Sequence, residues 1–263
     1  MKFVSLCILS YKRLAFLKST INSIKETTKF SYELLVHDDG SDENWFYIQD
    51  LMWAREISTA IYNTGSNMGV GEAIHRLFSC AKGEYLVKLD ADLQFRSNWL
   101  TLGVALLDKY PDIGALGWFA YPAPSEHKIT RNREDPSKDN TLIEIREDCE
   151  IVHDFVSSAM IIRREHWEKY GIERGSEAFA EDIGLKEKMK ADGLLMAITK
   201  KDYIENVGFG LEKSVVVTPD EAGQPQVAKI CKYPLLFKDG KAIPMIDIKE
   251  EERDEIKESL GQD

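Results

Sequence analysis

No stretch of this chain is long and apolar enough to span a bilayer, its cysteines form no C-x-x-C pair, and positive charge is in deficit. Each shortage removes a class of function. The opening run MKFVSLCILS holds one lysine and a short apolar segment, too short for a transmembrane helix and without a small-residue cleavage site. Cys7, Cys80, Cys149 and Cys231 are widely scattered, three of them in apolar or amphipathic runs. Reduced, buried thiols in a cytoplasmic protein are the expectation, not a disulfide framework. His37, His75, His127, His153 and His166 show no metal spacing, so no zinc site is expected. With 45 acidic against 34 basic residues, the formal charge of −11 argues against a nucleic-acid partner. It leaves room for a small anionic ligand held by a few local cations. No internal repeat and no low-complexity segment is present.

What is there is an alternation. At 263 residues and 43% hydrophobic content the chain can bury a core as one large domain or two small ones. Apolar runs at 3–9, 32–38, 58–63 and 85–89 read as strands. Leu14, Leu17, Ile21 and Ile24, then residues 42–55, then Ala73, Ile74, Leu77, Phe78 and Ala81 read as helices between them. Strands alternating with helices imply a parallel sheet covered on both faces, with ligands bound beyond the carboxyl ends of the strands. Polar punctuation falls at those ends: SYKR (10–13), DDGS (38–41), NTGSNMGVG (63–71) and DAD (90–92). Further on, 113–122 reads as a strand entering a proline-rich turn, and 123–140 as a surface loop or flap. TLIEIRE and IVHDFVSSAMIIRR are strand-like and could extend the sheet with antiparallel strands. FAEDIGLKEKMKADG (179–193) reads as an amphipathic helix stopped at Gly193, and the last residues as a charged, solvated helix.

The stretch VKLDADLQF carries the sharpest question. Asp90 and Asp92 lie two apart, on one face of an extended backbone, so the carboxylates converge and repel unless a cation sits between them. An oxygen-only pair suits magnesium, manganese or calcium, whereas an isolated D-x-D is more often a capped, solvated loop. VHDDGSDE is likewise an ordinary strand-to-helix turn when taken alone, and NMGVGEA a loop whose glycines allow close backbone approach to a phosphate. It lacks the P-loop lysine, and Ile74 stands where a dinucleotide fingerprint needs its third glycine. Lys88 and Arg96 flank the D-x-D and could balance it, although surface placement is the more common fate of such residues. Trp118, Phe119 and Tyr121 could stack on the ring of a ligand or pack in the core.

In series, ILSYKR, VHDDGS, N-x-G-x-G-x-A (67–73) and LDADLQF resemble the nucleotide-sugar half of family 2 glycosyltransferases. SSAMIIRREHWEKYG (157–171) and the E-D helix continue the resemblance over roughly residues 3 to 208. It implies an α/β GT-A fold: a Rossmann-like half with a mostly parallel sheet at 1–92 and an acceptor half with mixed strands at 93–210. Residues 211–263 form a C-terminal extension that it does not cover. By the same resemblance, Ser10, Tyr11 and Arg13 meet nucleoside and diphosphate, and Asp38 and Asp39 hold base and ribose. Asn67, Gly69 and Gly71 lie beside nucleotide and donor sugar, and Asp92 with Asp90 holds Mn2+ or Mg2+. Asp182 is the implied catalytic base, supported by Glu181.

The implied activity is metal-dependent, inverting transfer of a sugar from a nucleoside-diphosphate sugar, most commonly a UDP-sugar, to a glycan, lipid-linked or protein acceptor. Two departures stand out. A histidine common in the family before its final motif is replaced by YIENVG, offering Glu205 or Asn206 as oxygen ligands, and Gly184 replaces a second aspartate after Asp182. A non-catalytic nucleotide-sugar or glycan-binding module is the alternative reading. A sugar-phosphate nucleotidyltransferase ranks lower, because SLCILSYKRLAF has no glycine for its phosphate loop. Peripheral membrane contact is compatible with all of these.

Overall fold

The computed structural model describes residues 2–64, 68–121, 142–155, 158–172, 183–206, 216–219, 225–228, 235–238 and 241–244. In chain order the elements are β1 (Val4–Ser10), α1 (Leu14–Thr27), β2 (Tyr32–Asp38), α2 (Asp42–Trp53), β3 (Thr59–Tyr62), α3 (Val70–Cys80), β4 (Tyr85–Asp90) and β5 (Leu93–Phe95). They continue with α4 (Trp99–Lys109), β6 (Ile113–Tyr121), β7 (Leu142–Ile145), β8 (Cys149–Val152), β9 (Ala159–Arg163), α5 (Arg164–Tyr170), α6 (Ile183–Ala191) and β10 (Leu195–Asn206). Residues 1–205 form one compact unit and 206–263 another. Within the second, β11 (Val216–Pro219) pairs antiparallel with β12 (Pro225–Ala228), and β13 (Leu235–Lys238) with β14 (Lys241–Pro244).

The sheet of the first unit runs β3-β2-β1-β4-β9-β6-β10-β8-β7, with β5 attached to β10. The pairs β3–β2, β2–β1 and β1–β4 are all parallel. Beyond β4 the sheet becomes mixed, since β9 runs antiparallel to both β4 and β6 while β6 and β10 are parallel. The change of direction falls beside the strand that ends in Asp90.

Period-two alternation sorts the strand residues onto two buried faces. Val4, Leu6 and Ile8 of β1, Leu34 and Val36 of β2, and Val87 and Leu89 of β4 join one core cluster with Leu17, Ile21 and Ile24 of α1. Cys7, Leu35 and Leu86 face the other way, against Ile74, Leu77 and Phe78 of α3. Burial on both faces explains why these strands read as continuous apolar runs. Trp118 belongs to the core, its ring edge-on to Trp99 at 5.0 Å and its indole N–H donating to the Trp99 carbonyl at 3.0 Å, so no sugar stacks on it.

Three expectations change. The run IVHDFVSSAMIIRR is not one strand: β8 ends at Val152, and β9 begins at Ala159. Cys7 and Cys149 are buried as expected, but Cys80 is exposed at the end of α3. The strands between 216 and 244 were not foreseen. Phe119 and Tyr121 contribute backbone to β6, while their side chains, the 123–140 loop, Cys231 and the terminal charged helix lie outside the described residues. Among the described residues no helix is long and apolar enough to cross a membrane.

Candidate nucleotide and metal site

Four loops lie at the carboxyl ends of β1, β2, β3 and β4. The first leaves β1 through Ser10 and Tyr11, and its next two residues, Lys12 (φ 54°) and Arg13 (φ 60°), both adopt the left-handed region. Such conformations cost of order 1 kcal/mol each for a side-chain-bearing residue, so neighbours must enforce them. The Lys12 N–H donates to the Ser41 hydroxyl, and the Asn44 amide donates to the Lys12 carbonyl at 2.7 Å. Asn44 is fully buried, and the same amide reaches Ser10 Oγ at 2.8 Å and Asp38 Oδ2 at 3.1 Å. One helix-borne amide thus sets the shape of two site loops. Tyr11 stays exposed, with the Lys12 ammonium 5.1 Å from its ring centre.

The acidic pair after β2 is turned inward. Asp38 Oδ1 accepts from the N–H groups of Gly40 (3.2 Å) and Ser41 (2.5 Å), an Asx-type turn that leads into α2. Asp39 accepts from the Met68 N–H at 2.9 Å, the Gly69 N–H at 3.2 Å and the Asn63 amide at 2.7 Å. A carboxylate therefore occupies the amides that lead into the N-terminus of α3, where negative charge is favoured. Gly69 has φ 82°, a backbone conformation that glycine adopts without a Cβ clash, and Gly71 is buried in the first turn of α3.

The pair after β4 is built differently. Asp90 Oδ1 lies 3.2 Å from the Lys88 ammonium, and its backbone N–H donates to the Ser158 carbonyl at 2.9 Å. Asp92 Oδ2 accepts from the Arg13 guanidinium at 3.1 Å. Between them the Ala91 carbonyl accepts from Thr20 of α1 at 2.8 Å, and Thr20 Oγ1 accepts the Leu93 N–H at 3.0 Å. That clamp fixes the reversal between Asp90 and Asp92, close enough for the Asp92 charge to act on Asp90. Burial pushes both acids above the ordinary carboxylate range. For Asp90 the nearby Lys88 opposes the rise and Asp92 adds to it; for Asp92, Arg13 opposes it.

Asp92 Oδ1 is buried and has no hydrogen-bond partner among the described residues. An oxygen acceptor held in that state fits a hard divalent cation, which Asp92 and Asp90 would hold. Among the described residues no group of three or more acidic, histidine or cysteine side chains converges to hold a metal alone.

The structure thus brings together Ser10, Tyr11, Arg13, Asp38, Asp39, Gly69, Gly71, Asp90 and Asp92 at the strand ends. Asn67, Glu181 and Asp182 lie outside the described residues, as does the side chain of Glu205, while Asn206 is buried at the end of β10. Lys88 is not at the surface: its side chain is 6% exposed, whereas Arg96 is exposed as expected. Asn44 and Thr20 were missed altogether. Asp154 makes a structural contact, an ion pair at 2.5 Å with buried Lys186 of α6, whose ammonium also donates to the Phe155 carbonyl at 2.8 Å.

Residues 5–171 match the family model described as glycosyl transferase family 2. Over 95 residues the chain is 28% identical to glycosyltransferase AglD of Haloferax volcanii, a match covering 34% of this chain and 15% of that protein. It therefore spans a small part of that relative. Solved structures with the same fold include TarS 1-349 of S. aureus in complex with UDP-GlcNAc (TM-score 0.60, 17% identity, 78% of this chain and 58% of that one). GalNAc-T7 with UDP, GalNAc and Mn2+ superposes with TM-score 0.61 at 16% identity, over 78% of this chain and 44% of that one. Mannosyltransferase PcManGT of Pyrobaculum calidifontis with GDP-Man and Mn2+ gives 0.56 at 17% identity, over 76% and 58%. The architecture is the GT-A fold.

Proposed function

The chain belongs to glycosyl transferase family 2, and we propose that it moves a sugar from a nucleoside-diphosphate sugar to an acceptor hydroxyl, with inversion at the anomeric carbon. The observation that carries this reading is the placement of Asp90 and Asp92 at the end of β4, with Arg13 against Asp92 and one Asp92 carboxylate oxygen buried without a hydrogen-bond partner among the described residues. Binding of UDP-GlcNAc, UDP or GDP-Man by the neighbours supports a nucleotide-sugar donor, and a UDP-sugar is the first to try. Ser10, Tyr11 and Arg13 would line nucleoside and diphosphate. Asp39, with Asn67, Gly69 and Gly71, would shape the wall beside ribose and donor sugar. Asp38, with Asp39, would hold base and ribose.

Asp92 and Asp90 would hold Mn2+ or Mg2+, with Glu205 or Asn206 as further oxygen donors; when bound, the ion supplies positive charge to the departing diphosphate. Asp182, supported by Glu181, removes the proton from the acceptor hydroxyl as its oxygen attacks the face opposite the leaving group. One in-line displacement inverts the centre, and no covalent enzyme intermediate is needed. The product class is a glycan, polysaccharide or glycoconjugate, on a lipid-linked or protein acceptor, in a cytoplasmic setting.

The test is release of nucleotide from a panel of UDP-, GDP- and dTDP-sugars with Mn2+ and mixed acceptors. One donor should turn over, and Asp182→Asn should abolish turnover while leaving nucleotide affinity nearly unchanged. Equal loss of both would remove Asp182 from the role of base. Tight nucleotide binding without turnover of any donor would turn the reading to a non-catalytic binding module.

A further inference from the structure

Two converging carboxylates at the mouth of a phosphate site should repel a diphosphate as strongly as they attract a metal. In this chain each carboxylate already has its own protein cation. Lys88 Nζ is 3.2 Å from Asp90 Oδ1 and Arg13 Nη1 is 3.1 Å from Asp92 Oδ2, so each carboxylate faces a cation among the described residues. The cations differ in freedom. Lys88 rises from the middle of β4, in register with Cys7 and Met160, and is enclosed by that core face. Arg13 is 32% exposed at the mouth, its guanidinium 4.3 Å from the Phe16 ring centre, on the left-handed stretch that Asn44 and Ser41 hold.

We propose that Lys88 and Arg13 are resident counter-ions that let the site capture a nucleoside diphosphate without a divalent cation, Arg13 turning to the phosphate oxygens and Lys88 acting through Asp90. This rests on the nucleotide-sugar reading above. Metal is then needed for departure of the diphosphate in transfer, and capture and turnover differ in their metal requirement. Lys88 is a positioning residue: it holds the Asp90 carboxylate in place and cancels its charge. Arg13 competes with a metal for Asp92, so the two cations should favour nucleotide and disfavour metal.

That opposition gives a test with two signs. Calorimetry with UDP and with GDP in EDTA should show wild-type binding within about tenfold of the affinity in Mn2+. Arg13→Gln and Lys88→Gln should each weaken binding in EDTA by at least about tenfold, while Mn2+ alone, followed by electron paramagnetic resonance, binds several-fold tighter. Arg13→Lys and Lys88→Arg, which keep the charge, should restore much of the loss. A purely structural role would weaken nucleotide and metal together, and that outcome overturns the proposal. Wild-type binding seen only with Mn2+ also overturns it while leaving the transferase reading intact. Absence of binding by UDP, GDP, dTDP and CDP under both conditions removes both.

Discussion

The two strands that flank β1 each end in an acidic pair, yet the pairs are furnished in opposite ways. After β2, Asp38 and Asp39 accept from backbone N–H groups and side-chain amides, and they shape the loops around them. After β4, Asp90 and Asp92 face charged side chains instead, and one buried oxygen is left without a donor among the described residues. Identical side chains at equivalent places in the sheet thus divide the work. The acceptors of the first pair hold the loops around them, whereas in the second pair one Asp92 oxygen stays without a donor among the described residues. A D-D or D-x-D string alone does not separate the two cases; the donors around it do.

The division can be broken most severely at Asp92. Asp92→Ala should lower turnover by at least about 100-fold and abolish Mn2+ binding, since it removes the open acceptor, with little change in melting temperature. Asp38→Ala should do the reverse. Stripping a buried carboxylate from Gly40, Ser41 and Asn44 should cost about 2–3 kcal/mol of stability, read by denaturant unfolding, with Mn2+ affinity retained. Asn44→Ala should cost about 1–2 kcal/mol and weaken nucleotide binding too, because the left-handed Lys12–Arg13 stretch loses its anchor.

The smallest effect concerns pH. Burial holds the His37 imidazole, next to Asp38, below its usual 6.5, with Asp39 opposing and Arg76 assisting. Burial does the same for His166, whose Nδ1 lies 3.0 Å from the Gly114 carbonyl. Below that pH the unfolded chain takes up protons that the folded chain refuses. Each histidine's contribution is therefore complete above 6.5 and declines as pH falls toward its folded value, by roughly 1.4 kcal/mol per pH unit at most. Melting curves across that range should show the decline, and His37→Leu should remove its share and leave that of His166.

Much of this was legible from the sequence because it depends on local periodicity. The alternation of apolar runs and helical stripes fixed the parallel half, and period two brought Asp90 and Asp92 to one face. The same rule places Lys88 on Asp90's face, two residues earlier, so its ion pair could have been read from YLVKLD; the general habit of lysine to sit outside concealed it. Thr20 and Asn44 left no such trace, because each reaches a loop far away in sequence and its partner exists only once α1 and α2 have packed. The strand-like run 151–164 hid its break between Val152 and Ala159, where apolar content on both sides outweighed His153, Asp154, Ser157 and Ser158. The pairing of β13 with β14 did carry a signal in the sequence, an Asp-Gly dipeptide between two apolar runs, a composition that favours hairpins.

Calorimetric titration of the purified protein with UDP, GDP, dTDP and CDP in Mn2+, repeated on Asp92→Ala, tests the central claim most directly. One nucleotide should bind the wild type saturably, and the variant should lose the share of affinity that Mn2+ adds. A folded wild type that binds none of the four would contradict the nucleotide-sugar reading and return the D-A-D stretch to a capped loop.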